Sequence, residues 1–196
     1  LPSSSSEAGG TGAEDTAIPV TISTAATDTD GSESITSIII SGVPAGATFN
    51  NGTDLGGGQW EMTLADLTGL TITPPTNFSG TIPMDVTVVA EETTLTDTEV
   101  TLANNVTSTT EPFVVTVEAV PDQPWVETDD VWVKEDGSVD FGVLAGLADK
   151  DGSEVLTVSI SGIDPAWGVD TSVSGGTYDA VTGTWTITMP AGQGFA

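Results

Sequence analysis

Apolar residues recur at every second position in several stretches of this chain. In "TIPMDVTVV" (81–89), Ile82, Met84, Val86 and Val88 share one face while Asp85 and Thr87 take the other. In "PFVVTVEAV" (112–120), Phe113, Val115, Val117 and Ala119 alternate with Thr116 and Glu118. Side chains of a strand alternate with period two, so both patterns predict half-buried antiparallel strands. "SIIISG" (37–42) and "WTITM" (185–189) predict two more. Val, Ile and Thr dominate, Gly and Pro interrupt every few residues, and no segment carries a helical period. "LGGGQ" (55–59) and "SGG" (174–176) predict hairpin turns, where glycine takes positive φ at little cost. The class predicted is all-β.

A repeat sets the expected organisation. Glu14 and Glu135, Asp28 and Asp149, Asp30 and Asp151, and Glu33 and Glu154 are each 121 positions apart. The likeness continues more loosely from "SGVPAG" (41–46) to "SGIDPA" (161–166), and from "QWEMTL" (59–64) to "TWTITM" (184–189). A register kept over that distance predicts tandem antiparallel β-sandwich modules, 1–121 and 122–196. "EAVPDQPWV" (118–126) is the expected joint, stiffened by proline. By the register Ala196 falls near Leu70 or Thr71, so the second module is expected to be incomplete, its remaining strands lying elsewhere in a longer protein.

Charge changes the picture. The chain of 196 residues holds 29 acidic residues against two basic ones and no histidine, a formal charge of −27. That excludes a basic nucleic-acid footprint and disfavours an anionic membrane surface. There is no cysteine, so no disulfide framework. No apolar run of about 18 residues or signal-peptide pattern is present, so no membrane insertion is expected of this segment, and export would use a signal outside it. A folded chain this acidic repels itself, and bound divalent cations would relieve the repulsion locally.

The acidic groups cluster. "DTDGSE" (28–33) and "DKDGSE" (149–154) each place three carboxylates around a glycine, and each follows a Glu-Asp pair, Glu14-Asp15 and Glu135-Asp136. A D-x-D pair on extended chain sends both carboxylates to one side, glycine lets the chain turn, and the next Glu can close a ring of oxygens. Five candidate carboxylates per module suit a hard cation, with no histidine or thiol to favour zinc or copper. The plainer reading is that Asp, Gly and Ser make solvated turns and Asp caps its own backbone. Recurrence of the whole constellation favours calcium. The spacing is not that of an EF-hand, since no Glu stands at position 12 of the loop.

Taken together, "EDTAIPVTIS", "DTDGSE", "ISGVPAGATF", "LTITPPTNFSG" and "VTVEAVPDQP" resemble the tandem immunoglobulin-like, cadherin-like repeats of large bacterial RTX (repeats-in-toxin) adhesins. The resemblance implies an extracellular array on the bacterial surface, exported by type I secretion and stiffened by Ca2+ between neighbouring modules of the same chain. It implies one site of Asp122, Glu135, Asp136, Asp149, Asp151 and Glu154, and an equivalent one of Glu14, Asp15, Asp28, Asp30 and Glu33. It implies a non-enzymatic extender that projects another domain toward a host, glycan or cell-surface target, for attachment or biofilm formation. The alternative is a split scaffold module framing an inserted, lectin-like ligand-binding domain near the adhesin tip. Where the family has an "ATDG"-like segment, this chain has "AEETTLTDTE" (90–99), in which Glu91 or Glu92 is a substitute ligand or part of a solvated hairpin.

Paired acids also serve glycoside hydrolysis, but their recurrence at turns and the lack of histidine and cysteine argue against catalysis. Trp60 and Trp185, at matching strand positions, are expected in the core. Trp125 and Trp132 are expected to pack at the joint, Trp167 to lie in a loop open to ligand stacking, and "SSSSEAGGTG" (3–12) to be loosely held.

Overall fold

A computed structural model describes residues 4–26, 33–92, 105–149, 151–172 and 175–193. They fall into two compact units, Leu1–Val120 and Pro121–Ala196. All the regular structure is β; no helix occurs among the described residues, hence none long and apolar enough to cross a membrane.

The first unit contains β1 (Ser4–Ala13), β2 (Ile18–Pro19), β3 (Thr21–Ala26), β4 (Glu33–Ser41), β5 (Thr48–Phe49), β6 (Thr53–Gly56), β7 (Gln59–Met62), β8 (Thr71–Thr73), β9 (Gly80–Glu92) and β10 (Val106–Glu118). A seven-stranded sheet runs β3-β1-β10-β9-β4-β7-β6, and a three-stranded sheet runs β2-β8-β5. The alternation read from the sequence is realised: Ile82, Met84, Val86 and Val88 of β9 and Phe113, Val115 and Val117 of β10 are buried. They share one core with Ile38 and Ile40 of β4 and with Ile18, Phe49 and Ile72 of the three-stranded sheet. Two sheets thus close over a common apolar interior, an arrangement of the β-sandwich class. Pro83 lies beyond the last residue of β9 that pairs with β4, where the strand has one neighbour and a missing N–H leaves no gap in the ladder.

The polar N-terminal stretch departs from expectation, since it forms β1. Residues Ser4–Gly9 pair antiparallel with β3, and Gly10–Ala13 pair parallel with β10. Its backbone ladder, not an apolar face, holds it. Glycine is what fits: a Cβ at Gly10 would collide with the Pro19 carbonyl oxygen, and one at Gly12 would meet Ile18 at 2.9 Å.

The second unit contains β11 (Trp125–Thr128), β12 (Val143–Gly146), β13 (Thr157–Ile160), β14 (Thr177–Asp179) and β15 (Thr184–Thr188). β11 pairs with β12, and β13-β15-β14 form a second sheet, all antiparallel. Val143, Ala145, Leu147, Leu156, Val158 and Trp185 make its core. Trp125 lies over Gly146, its cross-strand partner, whose hydrogen leaves room for the ring.

Details of the repeat reappear as geometry. Ile40 stands opposite Trp60, and Ile160 opposite Trp185. The Val43 N–H donates to the Gly58 carbonyl, and the Ile163 N–H to the Gly183 carbonyl. Gly42 and Gly162 have φ of 85° and 81°. Asp15 and Asp136, both non-glycine, sit in the left-handed region at 53° and 60°. Between Glu33/Glu154 and Ile40/Ile160 the first unit has one extra residue, and β4 shifts its register on β9 between Ile35 and Ser37. The extra residue is therefore Thr36, taken up as a bulge.

The other turn and core expectations fall out simply. Gly56, Gly57 and Gly58 all have positive φ in the β6–β7 turn, and Gly175 and Gly176 do so just before β14. Trp185 is core; Trp60 is half-buried against the core, edge-on to Phe49 at 5.5 Å. Trp132 is 92% exposed, in a stretch, 131–140, that is exposed throughout. Trp167 is exposed, as a loop residue.

Candidate metal centre

Chain leaving β12 buries Leu147 and then Asp149, which is 2% exposed. Asp149 Oδ1 accepts the Asp151 N–H at 2.8 Å, and Asp151 Oδ1 accepts the Ser153 N–H at 2.7 Å. Gly152, at φ of 97°, turns the chain between them. These are the aspartate turns of the plainer reading, and Asp54, Asp164, Asp170 and Asp179 make similar ones on the surface. Asp149 differs from those four in one respect. Its second oxygen, Oδ2, is buried and has no hydrogen-bond partner. A buried carboxylate oxygen without a partner is costly, and a cation is one way to meet it.

Glu154 brings a carboxylate oxygen within 4.8 Å of one from Asp149. Its Oε1 also accepts the Asp122 N–H at 3.4 Å, and its backbone carbonyl receives the Gly192 N–H at 3.0 Å. Of the expected ligands in the second unit, Asp149 and Glu154 bring their carboxylates together, and Asp122 and Asp151 are bonded to them through backbone N–H groups. Two carboxylates at this separation repel, which a cation between them would reverse. The donors are all oxygen, the set that hard cations prefer. Glu135 and Asp136 lie in an exposed turn closed by the Gly137 N–H on the Lys134 carbonyl.

In the first unit Glu14 is 5% exposed; its N–H donates to the Glu118 carbonyl and its Oε1 accepts the Val120 N–H. Its Oε2 is buried without a hydrogen-bond partner. Asp15 accepts the Asn77 N–H at 2.9 Å. Glu33 is half-buried and stands directly opposite Glu92 across β4 and β9, a like-charged pair that is unfavourable in a sheet. Glu91 takes the Asn105 side-chain amide at 3.1 Å. Asp28 and Asp30, Lys150, Ser174 and residues 93–99 of the stretch read as a substitute ligand or a solvated hairpin lie outside the described residues.

Three surface aspartates have carboxyl pKa values below the usual range. The Thr63 hydroxyl and then its N–H hold Asp66 down, Ser172 does so for Asp170, and the Val181 N–H and Thr182 hydroxyl do so for Asp179. These are turn caps rather than site chemistry.

One feature had no sequence signal of its own. A groove of 220 Å³ in the second unit runs between Trp125 and Val126 of β11 and residues 156–159 at β13. Only alignment of the two repeats, strand by strand, would have pointed to it. No protein-family model, curated protein or solved structure matches this chain.

Proposed function

We propose that this chain is a calcium-rigidified structural segment of an extracellular bacterial adhesin, built from tandem immunoglobulin-like modules. Asp149 carries the reading: a buried carboxylate oxygen without a hydrogen-bond partner, beside a second carboxylate, in the loop whose sequence recurs. Asp149 and Glu154 would hold the ion, with Asp122 and Asp151 completing its shell. Calcium supplies positive charge that converts repulsion among these acids into attraction. The Asp122 end of the linker is already tied to Glu154 through its N–H, so occupancy pins the start of the second unit to its own acidic loop. Repeated along an array, that restraint makes a self-repelling acidic string into a spacer for a distal binding domain. The strand order of the first unit supports the immunoglobulin-like reading: two sheets face each other, and an N-terminal strand leaves one partner to pair with the last strand. The role is mechanical, not catalytic.

The test is thermal unfolding of the whole chain with calcium and with chelator. Calcium at a hundredfold excess over its dissociation constant stabilises a one-site protein by about 2.7 kcal/mol. Asp149→Asn keeps the carbonyl that accepts the Asp151 N–H but loses the charge. It should melt no lower than wild type in chelator and gain little from calcium. Melting curves of the wild type that superimpose in calcium and chelator would overturn the proposal.

A further inference from the structure

The two units treat the same strand differently, and the difference identifies what the groove accepts. With Glu33 matched to Glu154, Ile40 to Ile160 and Thr36 as the extra bulge residue, Leu156, Thr157, Val158 and Ser159 correspond to Ile35, Ser37, Ile38 and Ile39. In the first unit those four residues pair with Ala90, Val89, Val88 and Thr87 of β9. β4 there has two neighbours, β9 and β7. Its counterpart β13 has one, β15, which occupies the place of β7. Among the described residues no strand stands in the place of β9, and residues 156–159 form a wall of the groove instead. The opposite wall presents Trp125 and Val126, both exposed large hydrophobics.

We propose that the free edge of β13 is an acceptor for an added strand, and that its occupant is an extended segment of the β9 kind. Such a segment runs antiparallel to β13 and carries apolar residues at alternate positions, as Val86, Val88 and Ala90 do where β9 buries them in the first unit. Its backbone would complete the ladder of β13, and its apolar side chains would fill the groove against Trp125, Ala145 and Leu156. A second copy of this chain is the weaker occupant. Each copy carries a charge of −27, so two repel. The inference does not rest on calcium.

The experiment uses the 196-residue chain and a synthetic peptide of residues 80–92, read by hydrogen exchange and tryptophan fluorescence. The peptide should slow amide exchange at 156–160 and change the emission of the groove tryptophan. A peptide carrying Val86→Asp and Val88→Asp should need about tenfold more or higher concentration for the same protection, since two buried valines are lost. Three results would each overturn the proposal. The first is equal protection by both peptides, or none by either. The second is protection confined to β4, which would mean exchange with the chain's own β9. The third is protection at 156–160 that grows with protein concentration in the absence of peptide, which would make a second copy the occupant.

Discussion

The first unit gives β4 a neighbour on each side; in the second, the counterpart strand β13 pairs with β15, and among the described residues it has no neighbour on its other side. The strand pair survives that difference in detail. Ile40 faces Trp60 and Ile160 faces Trp185, and the same N–H to carbonyl bond continues the pairing past each of them. Register in this piece therefore does not depend on a strand in the place of β9, and is set by glycine geometry and the apolar cross-strand pair. A strand on the β9 side, described in the first unit alone, separates the two.

The comparison is broken most sharply in the core. Ile72, 0% exposed, lies in the middle strand of the smaller sheet of the first unit, and Ile72→Ala should cost about 2–5 kcal/mol. Val158→Ala, at the groove, should cost less, because it removes fewer carbons and, among the described residues, one side of its strand carries no neighbour. Denaturant unfolding followed at Trp60 for the first variant and at the second unit's tryptophans for the second decides it. A larger loss at Val158 would contradict the difference drawn between the two strands.

A middle-sized effect tests the equivalence of the turns. A Cβ at Gly58 would lie 2.6 Å from the Val43 carbonyl oxygen, and one at Gly183 would collide with the Ile163 carbonyl oxygen; both glycines have positive φ. Gly58→Ala and Gly183→Ala should each destabilise their own unit by at least about 1–2 kcal/mol from backbone conformation alone. A harmless substitution at either position would show that the two turns are not the same device.

The smallest effect concerns acid. Asp66 in the first unit and Asp170 and Asp179 in the second have folded pKa values held below their unfolded ones by hydroxyl and N–H donors. The stability each contributes is present above the unfolded carboxyl value and is lost as pH falls through the depressed folded value. Carboxyl carbon shifts should show these three protonating at lower pH than ordinary surface aspartates. Titration at or above the ordinary value would mean that the caps are not formed in solution.

Much of this was legible from residue order. Alternation placed β9 and β10, because a half-buried strand must sort its side chains by face, and β-branched runs placed β4 and β15. The looser likeness of "QWEMTL" to "TWTITM" matched Trp60 with Trp185, which face Ile40 and Ile160. β1 was not legible: "SSSSEAGGTG" has no apolar face, and its place depends on a parallel partner more than a hundred residues away and on glycines thin enough to pass Ile18 and Pro19. At the candidate site, the sequence pointed to Glu14 and Glu135 as equals, whereas Glu14 is buried on the Val120 N–H and Glu135 is exposed. Identical letters cannot report burial, because burial comes from the surrounding fold. For the same reason six aspartates make the same turn and only the fold marks out Asp149.

Calcium titration of the 196-residue chain by calorimetry tests the central claim most directly, with Asp149→Asn and the cap variant Asp66→Asn beside it. The account predicts a saturable binding heat for wild type, retained by Asp66→Asn and weakened about tenfold or more by Asp149→Asn, a loss of at least about 1.4 kcal/mol. No saturable heat in wild type, or an isotherm unchanged by Asp149→Asn, would contradict it.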